Sequence, residues 1–485
     1  MRHASGRVEP SHRRTNTITS TPRSVLPVSE SGGTFDLVIL GAGSGGYAAA
    51  LRAAELDMSV ALIEKDKLGG TCLHQGCIPT KALLHAAEVA DSAKESEKFG
   101  VKASFDGIDM PAVHAYKDKV IGGLHKGLTG LIKSRGITVV QGEGKLTGAD
   151  EVTVDGKVYK GRNIVLATGS QPKTLGLDID GEKVLTSEQA LKDERVPSSA
   201  VVLGGGVIGV EFASVWRSFG AEVTIVEALP HLVPVEEESS SKLLERAFRK
   251  RGIKYELGTP FESVKTTDSG VVVTLKGGKT LEADVLLVAI GRGPVSEGLG
   301  FEENGVRMER GFVQVDENLH TGVGNVYAVG DLIPTLQLAH VGFAEGIFVA
   351  ERIAGLNPPA IDYDGVPRIT YSEPEVASVG ITSAKAKERG LEIIETNYNL
   401  AGNGKSQILQ TQGAVKIIAE KDGPVLGVHM VGSRVGELIA EGQLIYNWEA
   451  LPAEVAQLIH PHPTQSEALG EAHLALAGKP LHVHD

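Results

Sequence analysis

The sequence contains very little sulfur and no long hydrophobic run. Only two of its 485 residues are cysteines, which excludes a scaffold of several disulfide bonds and favours a reducing compartment. No uncharged apolar stretch approaches the ~20 residues that a membrane-spanning helix needs. The net charge of −13 argues against a general nucleic-acid binder, because phosphate backbones are bound by basic surfaces. We therefore expect neither a membrane nor a nucleic acid among its partners.

Glycine, by contrast, is abundant, with 60 residues. Tight turns between strands and helices use glycine, so this content together with 41% hydrophobic and 22% charged residues indicates an α/β protein. A chain of this length normally divides into several domains, each with a core of its own.

The first 33 residues differ in composition from the rest of the chain. They are rich in Arg, Ser and Thr, poor in acids, and lack the apolar core of a secretory signal. Such a composition resembles a mitochondrial presequence, but Pro10, Pro22 and Pro27 would interrupt an amphipathic helix. We predict a flexible extension over residues 1–33 of a cytoplasmic bacterial protein, with the mitochondrial matrix as the alternative location.

A dinucleotide-binding pattern follows directly after the extension. The buried-strand sequence FDLVIL leads into Gly41, Gly43 and Gly46, then a helix, then a strand that ends in Glu64. Gly41 permits a tight turn, Gly43 lets the backbone approach a pyrophosphate, and Gly46 lets the helix pack closely on the sheet. The helix N-terminus would face the phosphates, and Glu64 could accept hydrogen bonds from a ribose.

The same pattern recurs in the middle of the chain. Gly204, Gly206 and Gly209 follow the strand AVVL, and the next strand ends in Glu227. The first glycine and the terminal acid are 23 residues apart in both units. Two such units predict two bound dinucleotides, or one dinucleotide and a second unit that has lost its ligand. Glu227 disfavours a 2′-phosphate, so we expect the second unit to bind NAD rather than NADP.

Both cysteines lie in the sequence GGTCLHQGCIPTK, residues 69–81. Gly76 and Pro79 should distort the start of the following helix, and so could bring the sulfurs of Cys72 and Cys77 within bonding range. A structural disulfide is one alternative, although so small a loop adds little stability, and the spacing does not suit a metal site. A redox-active pair is favoured. A dithiol can reduce a flavin directly but not a nicotinamide. Because the cysteine pair follows the first nucleotide unit directly, we assign FAD to that unit.

These motifs together resemble those of the flavoprotein disulfide reductases, and most of all the dihydrolipoamide dehydrogenases, the E3 components of 2-oxo acid dehydrogenase complexes. The resemblance covers residues 34 to about 475. It extends to ATGS at 167–170, AIGR at 289–292, NVYAVGD at 325–331 and QLAH at 337–340. Many relatives have Asn-Val where this chain has His74-Gln75, a difference that could alter the local redox potential.

The resemblance implies a set of cofactor contacts. For FAD these are Gly41, Gly43, Gly46, Glu64, Gly70, Thr71, Lys81, Gly144, Thr168, Gly169, Ser170, Asp331, Gln337, Leu338, Ala339 and His340. For NAD they are Gly204, Gly206, Gly209, Glu211, Glu227, Val264 and Gly291. A bound metal is not implied.

A lysine nine residues after Cys72 is ordinarily a solvated helix residue. The resemblance instead implies that Lys81 lies near the flavin N5 and pairs with Glu211, where a cation stabilises negative charge on the reduced ring.

The C-terminal sequence HPHPTQSEALGEA predicts part of the catalytic machinery. Thr464 and Glu467 match a capping box, so helix initiation alone explains some of this pattern. The resemblance implies in addition that His462 is the acid/base and that Glu467 orients it, which suits an imidazole whose unperturbed pKa is ~6.5. In that family the pair acts on the partner subunit's active site, so a homodimer is expected. His460 is interpreted as structural.

The resemblance therefore implies an enzyme that oxidises protein-bound dihydrolipoamide and reduces NAD. The substrate would attack Cys72 of the oxidised pair, His462 would take the proton, and Cys77 would pass electrons through FAD. Lipoyl domains and an acyltransferase core would be partners. A glutathione-type reductase is one alternative, disfavoured by IPTK and Glu227; a mainly scaffolding subunit is another.

The predicted fold class is α/β, with two Rossmann-like units and a C-terminal α+β dimerisation domain. The predicted boundaries are 34–170 for the FAD domain, 171–290 for the NAD domain, 291–360 for a central domain completing the FAD site, 361–475 for the dimerisation domain and 476–485 for a tail.

Overall fold

The computed structural model describes residues 32–482, so nearly all of the predicted N-terminal extension lies outside the described residues. The first part of the chain forms β1 (Thr34–Leu40), α1 (Ser44–Glu55), β2 (Val60–Glu64), α2 (Gly70–His74), α3 (Cys77–Glu95), α4 (Met110–Ser134), β3 (Thr138–Gln141), β4 (Gly144–Gly148), β5 (Glu151–Val154) and β6 (Lys157–Leu166).

These strands form the first sheet, in the order β3-β2-β1-β6-β5-β4. Strands β3, β2, β1 and β6 pair in parallel. Strand β5 pairs antiparallel with both β6 and β4. Leu37, Val38 and Ile39 of β1 are fully buried. Central parallel strands are covered on both faces, which explains the continuous apolar run in the sequence.

The second part of the chain forms β7 (Ser170–Pro172), β8 (Val184–Thr186), α5 (Ser187–Ala190), β9 (Ser199–Leu203), α6 (Val207–Phe219), β10 (Glu222–Val226), α7 (Glu238–Lys250), β11 (Lys254–Glu256), β12 (Phe261–Thr267), β13 (Gly270–Leu275), β14 (Thr280–Ala283), β15 (Val285–Val288) and β16 (Arg292–Pro294). Its parallel sheet has the order β11-β10-β9-β15-β8, and β12, β13 and β14 form a separate antiparallel sheet. In both nucleotide units the strand before the glycine turn lies between two parallel strands: β1 between β2 and β6, and β9 between β10 and β15.

The third part of the chain returns to the first sheet. It forms β17 (Met308–Glu309), β18 (Phe312–Val313), β19 (Val326–Ala328) and α8 (Ala339–Ile353). Strand β19 pairs in parallel with β6, with Val326 opposite Ile164. Helix α8 lies across α1 at very short range, since a Cβ on Gly346 would come within 2.3 Å of the Gly45 carbonyl oxygen.

The last part forms β20 (Arg368–Thr370), β21 (Glu375–Gly380), α9 (Ser383–Glu388), β22 (Ile393–Asn399), α10 (Gly404–Leu409), β23 (Ala414–Glu420), β24 (Val425–Gly432), α11 (Val435–Asn447), α12 (Pro452–Val455) and α13 (Glu467–Leu476). Its five strands make an antiparallel sheet in the order β20-β21-β24-β23-β22. After α13 the chain stays attached, because His482 Nδ1 lies 2.8 Å from the Glu471 carboxylate.

The α/β fold class predicted from the sequence is confirmed. The individual domain boundaries stay predictions. Across residues 32–482 no helix is both long and apolar enough to cross a membrane.

Candidate active site

The first glycine turn is built to receive a phosphate group. Gly41 has a φ of 103°, and a Cβ on Gly46 would come within 1.9 Å of the Gly41 carbonyl oxygen. A Cβ on Gly43, in contrast, would meet no described atom within 4 Å. Gly43 precedes α1 without a side-chain cap, so the first N–H groups of this helix are available to an anion.

The acid at the end of β2 and the acid directly after β10 hold their glycine turns in the same way. Glu64 accepts hydrogen bonds from the Ala42 and Asp66 N–H groups, both at 2.8 Å. Glu227 accepts from the Gly205 N–H at 2.7 Å and from the Leu229 N–H at 2.8 Å. The backbone fixes both carboxylates beside a glycine turn, and their contact with a ribose stays a prediction.

The second glycine turn repeats the first in detail. Gly204 has a φ of 108°, a Cβ on Gly209 would come within 1.9 Å of the Gly204 carbonyl oxygen, and a Cβ on Gly206 would have no described atom within 4 Å. Gly291 also has a positive φ, of 110°, and Val264 packs against the hydrophobic core beside the sheet. Both units therefore fit a dinucleotide.

The segment before α8 supplies further groups that suit FAD. The side-chain nitrogen of Gln337 is buried and has no hydrogen-bond partner among the described residues, which is costly unless a ligand accepts from it. Helix α8 begins at Ala339, with Leu338 as an N-cap that contributes no side-chain hydrogen bond. His340 donates to the Pro367 carbonyl oxygen at 2.8 Å. The residues of this segment fit the flavin nucleotide.

Asp331 is joined to the strand-end motif at 167–170. The Ser170 hydroxyl donates to the Asp331 carboxylate at 2.5 Å, and Arg292 donates to the Ser170 hydroxyl at 2.8 Å. Burial lowers the pKa of Arg292. The Thr168 hydroxyl donates to the Val295 carbonyl oxygen at 2.5 Å, and Gly169 has a φ of 72°.

Gly144 and Gly70 are glycines because their surroundings leave no room for a side chain. A Cβ on Gly144 would come within 2.6 Å of a Leu40 methyl carbon, next to the first glycine turn. A Cβ on Gly70 would come within 2.6 Å of the Gly43 Cα. The contact at Gly70 places the start of the cysteine-bearing segment, with the neighbouring Thr71, directly against the turn predicted to bind FAD.

The cysteines lie on either side of a break between two helices. Cys72 is in α2 and Cys77 is the first residue of α3, with Gly76 between them at φ −147° and ψ −110°. The expected irregular start is therefore a separate short helix. Pro79 lies in the first turn of α3, where no backbone donor is needed. The two thiols are not joined by a disulfide bond, so the structure describes the reduced pair.

The two thiols have very different proton affinities. A hydrogen bond with Cys77, reinforced by burial, raises the pKa of Cys72. The same hydrogen bond, opposed by burial and assisted by the positive charge of Lys81, lowers the pKa of Cys77 to about 7. When the pair loses its first proton, the thiolate therefore forms on Cys77.

Lys81 and Glu211 form the predicted ion pair. The Lys81 ammonium lies 2.9 Å from both carboxylate oxygens of Glu211, whose side chain is only 3% exposed. Tyr371, from the C-terminal part, donates its backbone N–H to Glu211 at 2.9 Å and places its ring 4.7 Å from the ammonium. Three parts of the chain meet here.

His462 and Glu467 also form the predicted pair, with Nδ1 2.8 Å from the carboxylate. The His462 side chain is 77% exposed and its described contacts lie within the C-terminal part of the chain. The capping-box prediction is wrong in one respect, because α13 begins at Glu467 with Ser466 as N-cap. Glu467 does accept from the Thr464 N–H at 2.8 Å. Its carboxylate therefore orients the histidine and fixes the preceding loop.

His460 is a different kind of histidine. Its Nε2 lies 2.7 Å from the Glu441 carboxylate and its side chain is 11% exposed. The hydrogen bond that His460 donates to this carboxylate raises the pKa of the imidazole.

Three residues of this region were missed by sequence reasoning. Arg292 donates to the Ser170 hydroxyl, and the Tyr371 N–H donates to Glu211 of the Lys81 pair. Glu345 accepts from the Gly330 N–H in the segment before α8. Arg292 stands in the AIGR motif and could have been found there. His74, which departs from the usual family residue, lies 2.9 Å from the Leu68 carbonyl oxygen and stacks edge-on against His125.

Comparison with known proteins agrees with this geometry. Residues 35–346 match the family model described as pyridine nucleotide-disulphide oxidoreductase, and residues 366–473 match the dimerisation domain of that family. A dihydrolipoyl dehydrogenase of Bacillus subtilis is 41% identical, over 92% of this chain and 99% of the relative. The mitochondrial dihydrolipoyl dehydrogenase of Pisum sativum is also 41% identical, over 92% of each chain.

Solved structures resemble the whole architecture. LpdA from Mycobacterium tuberculosis has a TM-score of 0.85 at 28% identity, covering 91% of this chain and 99% of that one. The HOCl-induced flavoprotein disulfide reductase RclA from Escherichia coli has a TM-score of 0.81 at 27% identity, covering 90% and 99%. The predicted enzyme class and the cofactors FAD and NAD are confirmed. With two nucleotide units, a cysteine pair against the first of them and a matching C-terminal domain, the chain belongs to the pyridine nucleotide-disulphide oxidoreductase family.

Proposed function

We propose that the protein is a dihydrolipoyl dehydrogenase that oxidises dihydrolipoyl groups through the Cys72–Cys77 pair and reduces NAD. The observation that carries this proposal is the contact of the cysteine-bearing segment with the first glycine turn, where a Cβ on Gly70 would lie 2.6 Å from Gly43. The similarity to dihydrolipoyl dehydrogenases over 92% of the chain supports the choice of substrate.

The residues divide the thiol chemistry between them. One substrate thiol attacks the Cys72 sulfur of the oxidised pair, the Cys72–Cys77 bond breaks, and Cys77 leaves as a thiolate. The second substrate thiol then attacks the substrate sulfur that is bonded to Cys72. This closes the lipoyl ring, breaks the bond to Cys72 and releases Cys72 as a thiolate. His462, oriented by Glu467, accepts the proton of the attacking thiol. When bound, FAD and NAD supply the two-electron acceptors that restore the disulfide.

The charges around Cys77 suit its role as the leaving group. Its pKa of about 7 means that the thiolate is already well populated near neutrality. Lys81 supplies a nearby positive charge, and Glu211 fixes the lysine in place. A positive charge beside the leaving sulfur stabilises its thiolate, so the Lys81 ammonium polarises the pair towards attack at Cys72.

We further propose a homodimer in which His462 of the partner subunit serves each cysteine pair. The match of residues 366–473 to a dimerisation domain supports the dimer, and so does the 77% exposure of the His462 side chain in a single chain. Lipoyl domains and an acyltransferase core are the proposed partners, since the net charge of −13 would complement a basic docking domain. A bacterial cytoplasm is the proposed location, with the mitochondrial matrix as the alternative.

Steady-state assays test the substrate. Turnover with free dihydrolipoamide and NAD should exceed turnover with glutathione, or with NADP, by orders of magnitude. Equal or better turnover with glutathione would support a glutathione-type reductase instead, and a FAD-loaded protein without dithiol turnover would support a scaffolding subunit.

Subunit mixing tests the shared site. Cys77→Ser and His462→Gln proteins should each be inactive alone, whereas reassociated mixtures should recover activity because one of the two sites is then complete. No recovery in a verified mixed dimer would refute the exchange of His462 between subunits.

A further inference from the structure

A fully buried carboxylate lies behind the segment that precedes α8. Glu345 has no exposed surface, and its Oε2 accepts a hydrogen bond from the Gly330 N–H at 2.6 Å. Its Oε1 accepts from the Thr335 hydroxyl at 2.8 Å and from the Tyr363 hydroxyl at 2.9 Å. No lysine, arginine or histidine of residues 32–482 forms a salt bridge with it. Burial raises its pKa to about 7, so holding this group ionised is costly.

Two of the three donors to Glu345, Gly330 and Thr335, lie at the two ends of one short segment. Gly330, with a φ of 71°, and Thr335 flank Asp331, which accepts from Ser170. Gln337, whose side-chain nitrogen is buried without a partner, follows two residues after Thr335. One carboxylate therefore fixes the backbone on both sides of Asp331 and immediately before Gln337.

The helix that carries Glu345 is itself held against the first glycine turn. A Cβ on Gly342 would come within 3.2 Å of the Gly45 nitrogen, and one on Gly346 would come within 2.3 Å of the Gly45 oxygen. Such close packing leaves α8 little freedom to slide along α1. Glu345 thus links the position of the glycine turn to that of the Asp331 segment.

We propose that Glu345 is a positioning residue for FAD: it does not contact the cofactor, but it holds residues 330–337 in the conformation that binds it. This inference rests on FAD binding and is independent of the thiol substrate. A purely structural carboxylate would affect the folding of the apoprotein and the affinity for FAD in parallel. A positioning residue would affect the affinity for FAD selectively.

The test compares two substitutions at the same site. Glu345→Met keeps the side-chain length but removes every acceptor, and should weaken FAD binding by at least about tenfold, as expected for lost hydrogen bonds to a charged group. Glu345→Gln keeps one oxygen for the Gly330 N–H, and its amide can donate to the two hydroxyl groups. It should bind FAD within about threefold of the wild type.

Affinity is measured by titrating the apoprotein with FAD and following flavin fluorescence, and the melting temperature of each apoprotein is recorded beside it. Glu351→Met is the matched control, because Glu351 lies on the same helix but pairs with Arg52, and it should leave FAD affinity unchanged. Wild-type affinity in Glu345→Met would overturn the proposal, as would an affinity loss that Glu345→Gln fails to rescue.

Two further variants decide the question if Glu345→Met does not fold. Thr335→Val and Tyr363→Phe each remove one donor to the same oxygen and leave the carboxylate in place. The Thr335 change should weaken FAD binding more than the Tyr363 change, because only Thr335 belongs to the segment that is positioned. Equal affinities in Thr335→Val and the wild type would overturn the proposal.

Discussion

Lys81 and Glu211 are 130 residues apart in sequence and lie 2.9 Å apart in space. The lysine belongs to the helix that starts at Cys77, and the glutamate belongs to the helix that starts after the second glycine turn. The pair therefore joins the two nucleotide units beside the thiols.

The first prediction concerns Lys81→Met. Removal of the positive charge should move the pKa of Cys77 upward from about 7, because the lysine favours the thiolate. The rate of alkylation of the reduced protein, measured against pH, should show this shift. Lys98→Met, which removes an exposed lysine paired with Glu95, is the control and should leave the profile unchanged.

The same variant should also destabilise the fold, since it leaves the buried Glu211 carboxylate without its cation. We expect a loss of roughly 2–3 kcal/mol in urea unfolding, at the lower end of the range for buried pairs because Lys81 remains 32% exposed. The double variant Lys81→Met, Glu211→Gln should recover part of this loss. Additive losses would contradict a direct interaction.

The second prediction concerns cofactor choice. Glu227→Ala removes the acceptor of the Gly205 and Leu229 N–H groups as well as the proposed ribose contact, so kcat/KM for NAD should fall about 10- to 100-fold. The preference over NADP should shrink by a similar factor. Glu222→Ala changes an exposed glutamate on the strand that precedes Glu227 and should alter neither value.

The third prediction separates thiol chemistry from hydride transfer. His462→Gln should lower turnover of dihydrolipoamide about 10²- to 10⁴-fold, the usual contribution of a general base. Reduction of an artificial electron acceptor by NADH does not require a thiol proton to move, so it should stay near the wild-type rate. A matching loss in both assays would exclude the proposed role of His462.

Glu467 should have a smaller effect in the same assays. Burial opposes its ionisation, but hydrogen bonds from the Thr464 N–H and from His462 hold its pKa below the usual value. The carboxylate is therefore ionised at neutral pH and orients the imidazole. Glu467→Gln should slow dihydrolipoamide turnover less than His462→Gln does.

The fourth prediction concerns His460. Its pKa is raised above 6.5 by the Glu441 carboxylate, so its contribution to stability is fully present below pH ~6.5 and is lost as pH rises through the raised value. Urea unfolding at pH 6 and pH 8.5 should show a larger difference between wild type and His460→Gln at the lower pH. An equal difference at both values would contradict the ion pair.

The sequence predicts the parts of the site whose geometry is local. A glycine turn and the acid 23 residues later are fixed by the connection of one strand, one helix and the next strand, so Glu64 and Glu227 lie where the pattern implies. The Lys81–Glu211 pair required the family resemblance, since spacing alone does not bring two helices of different units together.

Contacts made by remote segments were not predictable in this way. Tyr371 contributes a backbone N–H, which any residue could supply, and Glu345 reads in the sequence as an ordinary helix glutamate. The capping box misled for a local reason: the Thr464 hydroxyl donates to the Pro461 carbonyl oxygen instead of capping the helix. Alternative hydrogen bonds of this kind compete with helix initiation.

The first sheet is completed by a strand that arrives late in synthesis. Strand β6 ends at Leu166, but its neighbour β19 begins only at Val326, 160 residues later. At ~5–20 residues per second a ribosome takes roughly 10–30 s to make that stretch, during which residues 164–166 of β6 have no partner on the side that β19 later occupies. An open edge attracts other strands. Chains stalled or truncated before β19 should therefore depend on chaperones and fail to retain flavin, however complete their first glycine turn.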